Sequence, residues 1–105
     1  MNQQDRQVAE IFASRIRMHF PEARIIAFGS RARGDAEQES DLDLCVTIHR
    51  VNAASKDIIR EIAWETGFDN DILISTVIFQ TGQLEKGPAA AGSLAANIMR
   101  EGIAA

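Results

Sequence analysis

Apolar positions at the start of the chain recur at steps of three or four, the spacing of one face of an α-helix. This face is formed by Val8, Ile11, Phe12, Ile16 and Phe20. The pattern predicts an amphipathic helix over residues 4–19, which Pro21 ends. The next segment, residues 24–28, is short and mostly apolar, so it predicts a buried strand that stops at Gly29.

Apolar and polar residues then alternate, which predicts a second strand over residues 41–49 after a polar loop at residues 30–40. The apolar face of this strand carries Leu42, Leu44, Val46 and Ile48, and the other face carries Asp41, Asp43, Cys45 and Thr47.

The second half of the chain predicts two more helices and a strand. Helical spacing at residues 55–66 indicates a helix with Asn52 or Ser55 as its N-cap. A β-rich stretch at residues 69–79 predicts a third strand, and Ser93 is placed to begin a last short helix.

The predicted order is helix, strand, loop, strand, helix, strand, helix, with a Gly- and Ala-rich loop at residues 81–92 before the last helix. This order indicates an α/β (α+β) fold, in which helices flank a small mixed sheet. The length of 105 residues, 11.5 kDa, corresponds to one domain over residues 1–105.

Composition and charge exclude several classes of protein. No apolar run approaches the ~20 residues needed to span a bilayer, and the first twenty residues carry charges throughout, so we expect neither a membrane protein nor a signal peptide. The lone Cys45 forms no internal disulfide, which agrees with a cytoplasmic location. With 11 basic and 15 acidic residues, the net charge of −4 disfavours nucleic acid as the main partner.

Three features are candidates for chemistry. Gly29 and Ser30 lie where a strand gives way to a loop; glycine lets the backbone approach a ligand, and free N–H groups and the Ser30 hydroxyl attract phosphate oxygens. Asp41 and Asp43 lie two apart on a strand, so their carboxylates share one face about 6–7 Å apart. Asp71 opens another apolar strand and is expected beside them.

Carboxylates gathered on one face of a sheet repel each other and resist desolvation, so a compensating charge is needed. Mg²⁺ prefers carboxylate, water and phosphate oxygens. Two such ions about 3.5–4 Å apart hold the attacking and leaving oxygens of a phosphoryl-type displacement. The phosphate-binding turn and the carboxylates together indicate nucleotidyl transfer.

Other sites built from similar residues do not fit the spacing. A P-loop requires Lys and then Ser or Thr where Asp35 and Ala36 stand. A calcium loop opened by Asp41 would lack both the oxygen ligand at its fifth place and the glycine at its sixth. One cysteine and the distant His19 and His49 give no zinc-ligand spacing.

The run Gly29-Ser30-Arg31-Ala32-Arg33-Gly34, followed by Ser40-Asp41-Leu42-Asp43-Leu44, resembles the signature of the minimal nucleotidyltransferases (MNT) of the DNA polymerase beta superfamily. The tail at residues 97–103 is also similar to that of small members of this family. The resemblance implies the polymerase beta palm-like nucleotidyltransferase fold.

The resemblance also implies roles for individual residues. Gly29 and Ser30 would bind the phosphates of ATP or another nucleoside triphosphate, and Asp41 and Asp43 would bind two Mg²⁺ ions. A third Asp on a later strand would complete the metal site. Asp71 is the best match for it, and Asp69 is the alternative. Arg31 and Arg33 are further candidates for triphosphate contacts, because guanidinium groups pair well with phosphate oxygens.

The resemblance implies transfer of a nucleoside monophosphate, AMP from ATP, to a hydroxyl acceptor, with Asp71 nearest the acceptor. Small members of this family pair with a HEPN-domain protein in toxin–antitoxin systems, which implies an antitoxin that modifies its partner. The residue range 88–96 is a candidate docking surface, and self-association through a sheet edge or the last helix stays open.

Two other functions remain open from the sequence. One is a non-catalytic antitoxin that binds nucleotide and acts by complex formation. The other is a modifier of small molecules such as aminoglycosides, which the lack of room for a second domain disfavours.

Overall fold

The computed structural model describes residues 1–35, 37, 39–85 and 92–105. The helices are α1 (Gln3–His19), α2 (Gly29–Arg33), α3 (Ala53–Asp69) and α4 (Ser93–Glu101), and the strands are β1 (Arg24–Phe28), β2 (Leu42–Ile48), β3 (Ile74–Gln80) and β4 (Ile103–Ala104). Within these ranges, no helix is both long enough and apolar enough to cross a bilayer.

The four strands form one sheet in the order β3-β2-β1-β4. Strand β1 is antiparallel to both β2 and β4, whereas β2 and β3 are parallel and are connected by α3. A parallel pair requires such a crossover, and a helix usually provides it. The predicted mixed α/β (α+β) fold is therefore confirmed.

The main core lies between one face of the sheet and the helices α1 and α3. Alternate residues of β2 face this core, and they pack with the helical residues Phe12, Ile16 and Ile59. The β2 residues of this face are Leu42, Leu44, Val46 and Ile48, all fully buried. Full burial of one such side chain contributes about 1.5–3 kcal/mol, so the predicted apolar face of β2 is a major source of stability.

A second, smaller cluster covers the opposite face of the sheet. Cys45 and Ile26 lie in it with Ile98 of α4 and Leu84 of the segment after β3. The predicted polar face of β2 is therefore apolar at Cys45, and only its first part, at Asp43, stays half-buried.

Side-chain caps fix where the two long helices begin. The Asn2 side chain accepts a hydrogen bond from the backbone N–H of Asp5 at 2.7 Å. Asn52 and Ser55 form a reciprocal capping box at α3, with bonds of 2.8 and 2.9 Å. Both residues predicted as alternative caps are therefore used, Asn52 as the N-cap and Ser55 as its partner.

Two short elements were not predicted, and the bounds of α3 and β3 differ from the predicted ones. Helix α2 occupies the start of the predicted loop at residues 30–40. The sequence did not predict this helix because five residues are too few to show a helical period. Strand β4, only two residues long, was not predicted. Strand β3 begins at Ile74 rather than at residue 69, because α3 continues to Asp69.

The connection from α3 to β3 is a tight turn that apolar periodicity does not show. The Gly67 carbonyl accepts the backbone N–H of Ile72 at 3.0 Å, and a Cβ at Gly67 would overlap the Ile72 carbonyl. Asp71 takes a left-handed conformation with φ 56°. Of the predicted loop at 81–92, residues 86–91 lie outside the described residues, and with them residues 88–91 of the predicted docking range 88–96.

Candidate active site

The turn between β1 and α2 brings the backbone against a carboxylate. Gly29 has φ +76°, and a Cβ built on it would overlap Oδ2 of Asp43. The antiparallel register explains this contact, because Phe28, the residue before the turn, pairs with Asp43 on β2. A glycine is required here both by its conformation and by the space that the carboxylate occupies.

Asp41 and Asp43 form a pair of acids at the start of β2. Burial is the main cause that raises the pKa of Asp43, and the negative charge of Asp41 raises it further. The positive charge of Arg33 acts in the opposite direction. The structure therefore brings together Gly29, Asp41 and Asp43, with Ser30 half-buried at the first turn of α2.

Arg33 lies on the exposed side of α2, close enough to affect Asp43. Its guanidinium donates to Asp35 and to Glu101 of α4, both at 3.2 Å. The hydrogen bond to Asp35 is the main cause that raises the pKa of Arg33, and the hydrogen bond to Glu101 raises it further. Arg33 thus supplies a positive charge near Asp43, and its predicted contact with phosphates stays a prediction.

Arg31, two residues earlier, points to the opposite side of α2. Its Nη1 donates to both carboxylate oxygens of the buried Asp5 on α1, at 3.0 and 3.2 Å, and its Nε donates to the Ser40 carbonyl. These bonds connect α1, α2 and the residue before Asp41. In this structure Arg31 therefore supports the packing of α1 against α2, and its predicted contact with a triphosphate stays a prediction.

Asp71 lies in the turn before β3, where it lines a concavity with Ser40 and Leu73. It lines an open cleft of about 400 Å³ with Asn2, Asp5, Arg31 and other residues. Across residues 1–35, 37, 39–85 and 92–105, no three His, Cys, Asp or Glu side chains form a group that could hold a metal ion. Asp41, Asp43 and Asp71 therefore do not form such a group among the described residues, and the role of Asp71 as a third metal ligand stays a prediction.

The late start of β3 is the reason that these three acids form no such group. Asp71 falls in the turn before the strand and not on it, so strand geometry does not align it with Asp43. The alternative, Asp69, ends α3 and pairs with Arg15 at 3.1 Å. Neither of the predicted third acids lies on the face that carries Asp43.

Comparison with known families identifies the protein family in which this turn and acid pair occur. The sequence model described as the nucleotidyltransferase domain matches residues 6–103, which include every site residue above. This chain belongs to the nucleotidyltransferase domain family. The predicted class of enzyme is thereby confirmed at the level of the family.

A protein of Methanocaldococcus jannaschii named "Putative protein adenylyltransferase" is similar to this nucleotidyltransferase domain. The two are 40% identical over 58 residues, which is 54% of this chain and 59% of the relative. The matched segment thus spans less than two thirds of that protein.

The sequence analysis of this nucleotidyltransferase domain missed Ser75. The parallel register pairs Asp43 with Ser75, and the next residues of the same face, Cys45 and Val77, pack in one cluster. Ser75 is therefore the β3 residue beside the acid pair. The sequence did not predict this position of Ser75, because the register of β2 and β3 depends on the turn that ends α3.

Proposed function

We propose that this chain transfers a nucleoside monophosphate, AMP from ATP, to a hydroxyl group of a partner protein, with a divalent cation, Mg²⁺, bound by Asp41 and Asp43. The observation that carries the proposal is the contact of the Asp43 carboxylate with the Gly29 turn beside a second acid. Family membership supports nucleotidyl transfer, and the name of the archaeal relative supports a protein acceptor.

The acid pair fits a hard divalent cation. Two neighbouring carboxylates disfavour each other's charge, which is the reason that Asp41 raises the pKa of Asp43. Mg²⁺ is usually held by one or two carboxylates together with substrate phosphates, and Asp41 and Asp43 supply such a set. When bound, the cation would neutralise charge on the phosphates and on the leaving pyrophosphate.

The other residues would position the nucleotide. Gly29 keeps the space beside Asp43 free of a side chain, and the Ser30 hydroxyl is a donor for a phosphate oxygen. Arg33 adds a positive charge on the same side. In the reaction, a bond forms between the acceptor oxygen and the α-phosphorus, the bond to pyrophosphate breaks, and the hydroxyl proton passes to water.

A protein acceptor suits the surface beside Asp41. The Leu73 carbonyl accepts the N–H of Leu42, so Leu73 lies beside Asp41 just before the two paired strands begin, and Leu73 is 66% exposed. On α3, Trp64 and Phe68 stack with ring centroids 5.4 Å apart and are 66% and 75% exposed. Together these three side chains form an apolar patch that a protein would cover.

The charges around the apolar patch favour a basic partner. Exposed acids on α3 lie three residues before each aromatic ring, Glu61 before Trp64 and Glu65 before Phe68. Asp71 lines the same surface, and the exposed Arg60 lies four residues before Trp64, so acids outnumber basic groups there. We propose that the patch docks a partner that presents apolar and basic side chains around the accepting hydroxyl. A HEPN-domain protein, with this chain as its antitoxin, is the partner that we propose.

The test is transfer of AMP to a co-expressed HEPN-domain partner, followed by intact-mass spectrometry. The wild type should add the mass of AMP to the partner, and Asp43→Asn should add none. Asp57→Asn, which changes an exposed acid of α3, is the matched control and should transfer like the wild type. Full transfer by a folded Asp43→Asn variant would contradict the proposal.

One observation favours a second function. Because the described residues hold no three-acid metal group, nucleotide binding without transfer is the alternative, and the antitoxin would then act by complex formation. In that case the partner would co-purify with the wild type and would gain no mass. Trp64→Ser should weaken the complex under both functions.

A further inference from the structure

Strands β2 and β3 carry Asp43 and Ser75 at the same level of the sheet. The parallel pairing aligns Asp43 with Ser75 and Cys45 with Val77. Because Cys45 and Val77 pack in the cluster under α4, the side chains of Asp43 and Ser75 point to this same side. Neighbouring strands lie about 4.8 Å apart, so the Ser75 hydroxyl is beside the Asp43 carboxylate.

A second cation at this site would need a further anionic ligand. Of two divalent ions about 3.5–4 Å apart, the nucleotide phosphates would help to hold the one on the leaving-group side. The ion on the acceptor side would depend on protein carboxylates, and Asp41 and Asp43 would have to be shared between both ions. The nearest group on β3 is the neutral Ser75 hydroxyl, and the Arg33 guanidinium adds positive charge. Among the described residues, no third acid joins the pair.

We infer that the site binds one divalent cation together with the nucleotide, and that Ser75 stands where a second cation would need a carboxylate. This inference rests on the proposed function. Introducing an acid at position 75 should create the second site.

The experiment counts Mn²⁺ ions retained per protein in equilibrium dialysis, with α,β-methylene-ATP as a non-reacting nucleotide. We expect one ion for the wild type, two for Ser75→Asp and one for Ser75→Asn, the matched neutral variant. Electron paramagnetic resonance should show coupling between two Mn²⁺ ions only in Ser75→Asp.

Each outcome separates the inference from the proposed function. Two ions in the wild type, or one ion in a folded Ser75→Asp variant, would overturn the inference and leave the proposed function intact. No ion and no nucleotide retained by the wild type would overturn both. If Ser75→Asp does not fold, the wild-type count still decides between one ion and two.

Discussion

Acids on opposite sides of α2 have different electrostatic surroundings. On the α1 side, the buried carboxylate of Asp5 is held by both of its oxygens to Arg31. On the α4 side, the half-buried Asp43 lies beside another acid, Asp41, and its pKa is raised. An acid paired with its own arginine supports the fold, whereas the two acids that repel each other form the site at which we propose that a cation binds.

The largest expected effect is on the α1 side. Replacing Arg31 by Met leaves the Asp5 carboxylate buried without its main partner, which should lower the free energy of unfolding by about 3–5 kcal/mol. Urea denaturation checks this value. The double variant Asp5→Leu/Arg31→Met should recover most of the loss, and a single variant as stable as the wild type would show that Arg31 does not support the fold.

A smaller loss is expected at the turn itself. Gly29→Ala forces an alanine to adopt φ +76° and places its Cβ against Asp43, so we expect a loss of about 1–3 kcal/mol in unfolding free energy. Nucleotide affinity should fall together with stability. Gly34→Ala is the matched control, because Gly34 also has a positive φ but has nothing within 4 Å of its Cβ position.

The difference between these two glycines measures the contact with Asp43. If Gly29→Ala and Gly34→Ala lost the same stability, and both kept nucleotide affinity, the close approach of turn and carboxylate would have no functional part. Fluorescence titration with a labelled ATP analogue provides the affinity.

Substitution of Arg33 should lower nucleotide affinity more than stability, whereas substitution of Arg31 should mainly lower stability. Arg33 is exposed, so Arg33→Met should change the urea midpoint only slightly, because surface ion pairs contribute little. Nucleotide affinity should fall several-fold, since a positive charge beside the phosphates is lost. A marked loss of stability with unchanged affinity would reverse the roles assigned to the two arginines.

The smallest expected effect is a gain of stability at neutral pH from Asp43→Asn, measured without metal. Because the pKa of Asp43 is raised in the folded protein, the folded state binds its proton more tightly than the unfolded state does. The wild type should therefore lose stability as the pH rises from 3.8 through this raised pKa. The Asp43→Asn substitution removes the titrating carboxyl group and, with it, that loss.

Urea midpoints of the wild type and Asp43→Asn at pH 7 and near pH 3 provide the check. The stability gain at pH 7 should vanish near pH 3, where both states of the wild type hold the proton. A gain that is equal at both pH values would mean that charge at position 43 is not its cause.

Apolar periodicity predicted the helices and strands that bury one apolar face. The stripe of α1 and the alternation of β2 each put apolar residues on one side, and both elements lie within a residue or two of their predicted bounds. Helix α2 and strand β4 are too short for a period to show. The start of β3 depends on a turn at Gly67 and Asp71, where local hydrogen bonds override apolar content.

The sequence predicted only those site residues that the local geometry of a turn or a strand places. Gly29 and the acids Asp41 and Asp43 were found because a turn and a strand of period two place them, and the structure brings them together. The partner of Arg31 lies 26 residues away on α1, and the neighbour of Asp43 on β3 depends on strand register. Such contacts between distant segments leave no signal in a single sequence.

The most direct test of the account is calorimetric titration of ATP into the protein with Mg²⁺. The wild type and the control Asp57→Asn should bind ATP with equal affinity, and chelation of Mg²⁺ should weaken this binding strongly. Asp43→Asn should bind weakly with or without Mg²⁺. A folded Asp43→Asn variant that binds Mg²⁺-ATP as tightly as the wild type would contradict the claim that Asp41 and Asp43 hold the nucleotide through a cation.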